Sequence, residues 1–416
     1  MQASLPSPIW VHLPRGFRSL RPTKTCLRLK KSQYGLTVAP RLWYQKLIAA
    51  LLDMGYKQSK QDPCLLFKDN SLLVVYVDDL GVAAPSSEII DKFVSDLETR
   101  GFELTREGSF SEYLGIKFSE NKSAGTIELT QKGLIKKIID AAGLTNCNPN
   151  RNPATAAALG IDPNGEPYDE AWNYPSIVGM LLYLSTNTHP DISFAVSQVA
   201  RFNHNPKQSH ARALKMIVRY LAGTADKGMI IKPDGTLELV DWCDSDYCGL
   251  HGRDPDESPS SVKSRGGYLV TLSDVPLVWK SQLQSSIALS TTEAEYSSLS
   301  SSLRTLLPLR DLLIEVSQAI GLSPSLRATL HCRAFQDNRA AWQLTTGQRI
   351  TKRTKYFLVK WHWFWSHVRR SDEDNTDETR FLEIQACSTH VMRADILTKG
   401  LLCEKFEACR KLTQGW

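Results

Sequence analysis

The 416-residue sequence predicts an α/β protein of two or three domains, since its length exceeds what one ordinary core accommodates. Three observations carry that reading. Between Cys64 and Tyr76 two short apolar runs flank Asp69 and Asn70, the pattern of a β-hairpin. Residues 146–173 are rich in Pro, Asn, Gly and Ala and read as a linker leading into helical spacing. From about Thr236 strand-like runs alternate with helical ones, which is the texture of an α/β domain with a mixed sheet.

Taken in order, Leu42, Leu47, Leu51 and Met54 recur at helical spacing and predict a helix over 39–56. The hairpin follows, with strands Cys64 to Phe67 and Leu72 to Tyr76 and with Asp78 and Asp79 where the second strand ends. A strand is expected over 113–118 and a helix over 131–142. Beyond the linker come helical patterns at 176–184, 192–202 and 208–221. The last region opens with a strand over 237–241, then a hairpin turning at Ser273 to Pro276. Ser290 and Glu293 form an S-x-x-E capping box, so a helix starts there; Tyr296, Leu299, Leu303 and Leu306 share one face of it until Pro308 interrupts. Strand 328–335 runs into a helix near Asp337, and strand 381–386 into another near Asp395. Acidic stretches at 254–257 and 372–378 read as solvated insertions, and no internal repeat is visible.

Composition narrows the function classes. The longest nearly apolar run, Ile177 to Leu184, is far shorter than the roughly 20 residues of a membrane-spanning helix, so no membrane partner is expected. Nine cysteines scattered from Cys26 to Cys409 without a CxxC pair suggest neither a disulfide framework nor a zinc ribbon, and they fit a reducing compartment. Residues 1–52 hold nine Lys or Arg and no Asp or Glu. Such a segment suits phosphate contacts; an organellar transit peptide and a plain solvated face are the competing readings. The Pro-interrupted order IWVHLPRGF does not form an amphipathic targeting helix.

The acids suggest chemistry. Making or breaking a phosphodiester needs charge stabilisation on the attacking and leaving oxygens, which paired Mg²⁺ ions supply when several carboxylates converge on them. Asp244, Glu295, Asp337 and Asp395 lie at or near the ends of successive elements, where strands of one sheet aim side chains at one point. Clustered anions repel, so at least one pKa should rise in the metal-free state. The plain alternative is that each acid caps its own element, as any of the 44 acids in the chain can. The Asp78-Asp79 pair is also a common turn dipeptide, although Tyr-Val-Asp-Asp inside a hairpin is more specific.

Longer phrases resemble the Pol polyprotein of copia-type LTR retrotransposons over nearly the whole chain. IWVHLPRGF, LKKSQYGL, APRLWYQKL, YVDDL and YLGIKF are similar to the family's reverse transcriptase. YPSIVGMLLYLSTNTHPDISFAVSQVARF and RYLAGT resemble its thumb and connection; VWKSQLQSSIALSTTEAEY, DNRAA, RTK and ADILTKGL resemble its ribonuclease H. ALSTTEAEY and ADILTKGL are too long to match by chance. The resemblance implies a partial palm and fingers over 1–125, a mostly helical thumb and connection over 126–232, and a ribonuclease H-like α/β domain over 233–416. It matches Asp78 and Asp79 to the polymerase aspartates, with Tyr76 and Val77 completing the motif, and Tyr34 and Gly35 to the loop facing template and nucleotide. It matches Asp244, Glu295, Asp337 and Asp395 to the four ribonuclease H metal ligands, with Asp246 and Glu293 as near neighbours.

The implied reaction is metal-dependent hydrolysis of RNA in an RNA–DNA hybrid by two Mg²⁺ ions, for which Mn²⁺ can substitute, with template/primer as a further partner and no small-molecule cofactor. Cytoplasmic retroelement particles, or the nucleus, are the expected location, and the sequence does not fix an oligomeric state. The family's third palm aspartate lies upstream of the segment matching IWVHLPRGF, and no acid precedes Asp53 here, so an N-terminally truncated chain without DNA synthesis is expected. The competing expectation is an inactive remnant that at most binds nucleic acid. Other departures are Thr37-Val38 where Lys-Gln is usual, Pro308 where tryptophan is usual, and Tyr356 and Leu358 where His and Asp usually follow RTK. Asp244-Ser245-Asp246 is not a protease DSG or DTG, and no His/Cys set has zinc spacing. His362 and His367 read as surface or core histidines, and Trp361, Trp363 and Trp365 as packing residues, with base stacking the alternative.

Overall fold

The computed structural model describes residues 3–13, 16, 25–108, 110–322, 330–347, 352, 354–369 and 380–416. The chain forms two units, one grouping residues 1–108 with 311–327 and the other 109–310 with 328–416.

In the first unit β1 (Trp10–His12) pairs antiparallel with β2 (Cys26–Arg28). Helix α1 (Ala39–Asp53) appears where the Leu spacing predicts it, with Pro40 in its first turn, where a missing N–H costs nothing. An antiparallel sheet follows in chain order: β3 (Lys57–Gln58), β4 (Leu65–Lys68), β5 (Ser71–Tyr76) and β6 (Asp79–Ala83). The β4–β5 turn falls on Asp69 and Asn70, whose φ of 48° and 60° is what a tight two-residue hairpin requires. Helix α2 (Ser87–Thr99) was not foreseen; Phe93 and Leu97, four apart, are the signal, and they bury against Leu47, Leu51, Leu66 and Leu73.

The second unit begins with β7 (Glu112–Tyr113), β8 (Ile116–Asn121) and β9 (Thr126–Thr130). The single strand expected over 113–118 is instead a hairpin, because Leu114 and Gly115 turn the chain at φ 52° and 72°. Helices α3 (Lys132–Ala141), α4 (Tyr174–Asn187), α5 (Ser193–Ala200) and α6 (Gln208–Gly223) match the helical patterns, and β10 (Met229–Ile231) completes the sheet in the order β10-β9-β8-β7. Residues 146–173 are irregular but are not a loose linker. Ala154, Leu159, Tyr168 and Trp172 pack against the core, and the Ile161 N–H donates to Asp254 Oδ1 at 2.8 Å. Asp254 also pairs with Arg201 at 2.5 Å and is buried, which corrects the solvated reading for that residue, while Asp256 and Glu257 are exposed; the stretch 372–378 lies outside the described residues.

The largest sheet holds β11 (Leu239–Asp246), β12 (Arg265–Leu272), β13 (Val275–Leu283), β14 (Cys332–Gln336) and β15 (Leu382–Ala386) in the order β13-β12-β11-β14-β15. β11, β12 and β13 run antiparallel, whereas β14 and β15 run parallel to β11, giving the mixed α/β sheet the sequence predicts. Helix α7 (Thr291–Ala319) starts at the predicted box, where the Glu293 N–H donates to Ser290 Oγ at 3.1 Å, and its residues from 311 onward belong with the first unit. It does not stop at Pro308. That residue is exposed, so water can reach the carbonyl its missing N–H leaves unbonded, while Leu303, Leu306 and Leu307 hold the helix from the buried side. Shorter helices α8 (Arg339–Thr346), α9 (Lys355–Trp361), α10 (Asp395–Thr398) and α11 (Cys403–Gln414) complete the unit. One core joins α3–α6 to this sheet, containing Ile177, Leu181, Val196, Leu214 and Tyr220 together with Leu269, Trp279, Leu397 and Phe406. No helix among the described residues is long and apolar enough to cross a membrane.

Candidate active site

β11 is longer than the sequence suggests: its ladder with β12 continues to Asp246, so Asp244 lies inside the strand, directly opposite Gly267. A Cβ on Gly267 would stand 2.7 Å from Thr398 Cγ2 and 2.8 Å from Leu397 Cβ. The glycine therefore lets α10 lie against β12, bringing Thr398 to donate its hydroxyl proton to Asp244 Oδ2. From the other side Ser298 Oγ donates to the Asp244 carbonyl at 2.8 Å, fixing the first turns of α7, and with them Glu295, beside the strand. Asp337 follows β14 immediately. Asn338 then caps α8 by accepting from the Ala341 N–H, so the chain turns at the carboxylate.

Asp244 from within β11, Glu295 from the start of α7 and Asp337 from just past the end of β14 thus converge, each offering an oxygen within 4.8 Å of the others. They are the one grouping of three or more metal-capable side chains among the described residues. Asp244 and Glu295 are 2% and 7% exposed, and Glu295 Oε2 has no hydrogen-bond partner although it is buried. Burial, and then the charges of Asp244 and Asp337, push the Glu295 carboxyl well above its ordinary range. Burial also raises Asp244; Lys399 opposes this and Asp395 adds to it. An orphaned buried oxygen among hard oxygen donors fits a divalent cation, which would satisfy it and remove the repulsion.

Asp395 is not part of that grouping. It is fully buried at the start of α10, where Lys399 Nζ reaches its Oδ1 at 2.7 Å and Lys405 its Oδ2. Lys399 Nζ also stands 3.4 Å from Asp244 Oδ2. Gly267, Thr398, Lys399 and Lys405 were missed as contributors, although Thr398 and Lys399 sit in the ADILTKGL phrase that marks Asp395. Of the near neighbours, Glu293 accepts from the Leu289 N–H at 2.8 Å and the Tyr356 hydroxyl at 3.1 Å, so it is occupied at the helix start.

The other acid pair sits at the β5–β6 turn. Tyr76 and Asp79 face each other across it, and Val77 and Asp78 form its tip, with Val77 at φ 56°. The Tyr34 hydroxyl donates to Asp78 Oδ2 at 2.8 Å, and Trp43 Nε1 to the Val77 carbonyl at 2.8 Å. The sequence-predicted Tyr34, Gly35, Tyr76, Val77, Asp78 and Asp79 thus fall in one unit, Gly35 using its freedom at φ 92°. Asp78 and Asp79 are both exposed. In the aromatic run Trp361 is buried, Trp363 is exposed and donates to Ser300 Oγ at 2.9 Å, and Trp365 donates to the Thr345 carbonyl at 3.1 Å. His362 Nδ1 contacts the Tyr296 hydroxyl.

A YVDD hairpin, accompanied in the same chain by a mixed α/β sheet with a buried carboxylate cluster, fits a protein of the reverse transcriptase class. The family model described as "Reverse transcriptase (RNA-dependent DNA polymerase)" matches residues 1–156. The chain is 31% identical to the retrovirus-related Pol polyprotein from transposon TNT 1-94 of Nicotiana tabacum, over 99% of this chain and 30% of that protein. It is 29% identical to the putative transposon Ty5-1 protein of Saccharomyces cerevisiae, over 71% of this chain and 94% of that one. Among solved structures, an RNase H1 in complex with an RNA/DNA hybrid aligns with 38% of this chain and 93% of its own at 14% identity and a TM-score of 0.25. The chain belongs to the copia-type retrotransposon Pol family, and it spans about 30% of the length of the tobacco polyprotein.

Proposed function

We propose that the cluster of Asp244, Glu295 and Asp337 hydrolyses the RNA strand of RNA–DNA hybrids with a divalent cation, Mg²⁺ or in its place Mn²⁺. The observation that carries this is the convergence of the three carboxylates with the Glu295 oxygen left unpaired. Bound there, a divalent cation supplies charge stabilisation to a phosphodiester under attack by water. The residues do the rest: Asp244 inside β11 and Asp337 just past β14 hold the cluster, Glu295 closes it from α7, and Thr398 orients Asp244. Asp395 takes part through its lysines. The substrate would be the hybrid, with the template/primer nucleic acid of the wider family as the related partner, in a retroelement particle. The division at 1–125, 126–232 and 233–416 is proposed as the functional one, palm, connection and nuclease.

For the first unit we propose nucleic-acid contact without independent DNA synthesis. Asp78 and Asp79 are adjacent on one turn, and no third carboxylate joins them among the described residues. Residues 1–416 taken alone are therefore expected not to extend a primer; an upstream extension that supplies the third aspartate reverses that expectation.

The test is cleavage of a labelled hybrid by the purified chain in Mg²⁺ or Mn²⁺. Asp337→Asn should lower the rate at least about 100-fold, the scale of losing a principal charge-stabilising group. An intact hybrid with the wild-type chain, or equal cutting by the variant, overturns the reading.

A further inference from the structure

A cavity of about 350 Å³ lies between the irregular segment 153–159 and helices α5 and α6. The segment is held at both ends. Asn152 Nδ2 donates to the Leu401 carbonyl at 2.9 Å before it; at its far end Arg201 Nη1 donates to the Leu159 carbonyl at 2.8 Å, and the Ile161 N–H to Asp254 Oδ1 at 2.8 Å. Between these anchors Gly400 makes room for its backbone, since a Cβ there would stand 1.9 Å from the Thr155 carbonyl oxygen. So tied, the segment does not settle onto the helices, and the space is formed before anything enters it. A ligand that fits such a site has little ordering cost to meet.

The lining states what would fit. Leu159, Phe194, Val199, Met216 and Ile217 make it mostly apolar, and no Asp or Glu lines it. A dry cavity of about 150 Å³ already holds benzene, so this one has room for a longer hydrocarbon. Most of its polar groups are engaged: Ser209 Oγ donates to Asp162 Oδ2 at 2.7 Å, Thr155 Oγ1 to the Ala157 carbonyl at 3.0 Å, and Gln198 Oε1 accepts from Arg265 Nη2 at 3.4 Å. Two groups are left over. Gln198 Nε2 is buried without a partner, and Arg212 bonds only the Gln208 carbonyl of its own helix, at 3.4 Å, with no carboxylate against it among the described residues. Both are donors, and one is a full positive charge, so the complement of this site is an apolar body that carries an anionic acceptor.

We propose that this cavity binds a free medium-chain monocarboxylate, its hydrocarbon between the 153–159 segment and α5 and its carboxylate against Arg212 of α6. The inference stands apart from the nuclease reading and uses none of that site's residues.

Methyl NMR of the full 416-residue chain, labelled at its six methionines, reads occupancy at Met216 directly, with octanoate as the probe. The Met216 methyl should shift to saturation with one equivalent bound, while Met54, in the other unit, stays in place. Hexanoate, two methylenes shorter, should bind roughly 10-fold more weakly. Octanol, which lacks the charge, should bind about 5-fold more weakly than octanoate, the scale of one exposed ion pair, and Arg212→Gln should bring octanoate down to the level of octanol. Ala213→Trp, which fills the cavity from α6, should abolish the Met216 response. An unmoved Met216 methyl overturns the proposal, as does binding that persists in a folded Ala213→Trp. Equal affinity for octanol and octanoate, or octanoate affinity unchanged by Arg212→Gln, overturns it too. Should Ala213→Trp not fold, the wild-type chain and Arg212→Gln decide the matter.

Discussion

Asp241→Asn separates the cost of buried charge in β11 from the chemistry three residues along. Asp241 is fully buried; its Oδ2 accepts from Ser302 Oγ at 2.5 Å and its Oδ1 has no partner. Burial pushes its carboxyl up from 3.8 to about 7, with Ser302 pulling the other way. The folded state therefore keeps a proton that the unfolded chain has already released. The stability this contributes is complete below the unfolded pKa of about 4, falls as pH rises toward about 7, and is lost above it. A shift of roughly three units at about 1.36 kcal/mol each gives a swing on the order of 4 kcal/mol. Asn stays neutral throughout, so the gap between wild type and variant should move in the variant's favour by that amount from about pH 4 to about pH 7 and then stay level. The new Nδ2 donor, buried without a partner, offsets the variant's gain by about 1–3 kcal/mol at every pH and leaves the swing untouched. Equilibrium urea unfolding in EDTA, followed by tryptophan fluorescence across that range, measures it. Parallel stability profiles for the two proteins would refute the reasoning, because the Asp241 charge would then carry no burial cost.

Gly267→Ala places a methyl group 2.7 Å from Thr398 and 2.8 Å from Leu397, so it should lower stability by about 1–3 kcal/mol and hybrid cleavage at least about 10-fold. Thermal melts and a cleavage assay check both, and unchanged values would show that α10 does not need its close approach to β12. Val77→Gly removes a β-branched residue from φ 56° at a largely exposed turn and should stabilise the first unit by about 1 kcal/mol, read as a rise in its melting midpoint. Residues 233–416 expressed alone should fail to give a cooperative melt, because Trp279, Leu397 and Phe406 share a core with α3–α6 and Trp279 Nε1 donates to the Ser185 carbonyl at 2.7 Å. Co-expression with residues 110–232 should restore it; a stable, soluble 233–416 would show that the shared core is dispensable.

The periodic elements were legible in the sequence because local pattern and tertiary burial agree in them. The Leu face of α1, the Asp69-Asn70 turn and the capping box at Ser290 are each decided within a few residues. The misreadings fall where distant contacts override local preference. Leu114-Gly115 turns a strand pattern into a hairpin, Pro308 is carried through α7 by a buried face on its far side, and Asp254 is drawn inside by Arg201, 53 residues away. In the candidate site, the identity of the acids was legible from motif wording, but their grouping was not. No spacing in the chain says that Glu295 ends within reach of Asp337 while Asp395 is diverted to two lysines, because that depends on how close Gly267 lets α10 come to the sheet.

The two acid sites differ in the energy stored in them, and that difference bears on which one is built to act. Asp78 and Asp79 are exposed, so water solvates their charges at little cost, and nothing in their own unit presses them to recruit a cation. Asp244 and Glu295 are buried side by side with an oxygen unpaired, an arrangement that opposes folding at any pH at which both are ionised. Each could be replaced by a neutral residue of the same shape with a gain in metal-free stability. A counter-charge that arrives after folding removes the penalty in a single step. Metal binding should therefore raise the melting midpoint of the second unit more at pH 8 than at pH 5, since the carboxyls are more fully ionised at the higher pH. An equal rise at both would mean that the cluster is not where the cation sits.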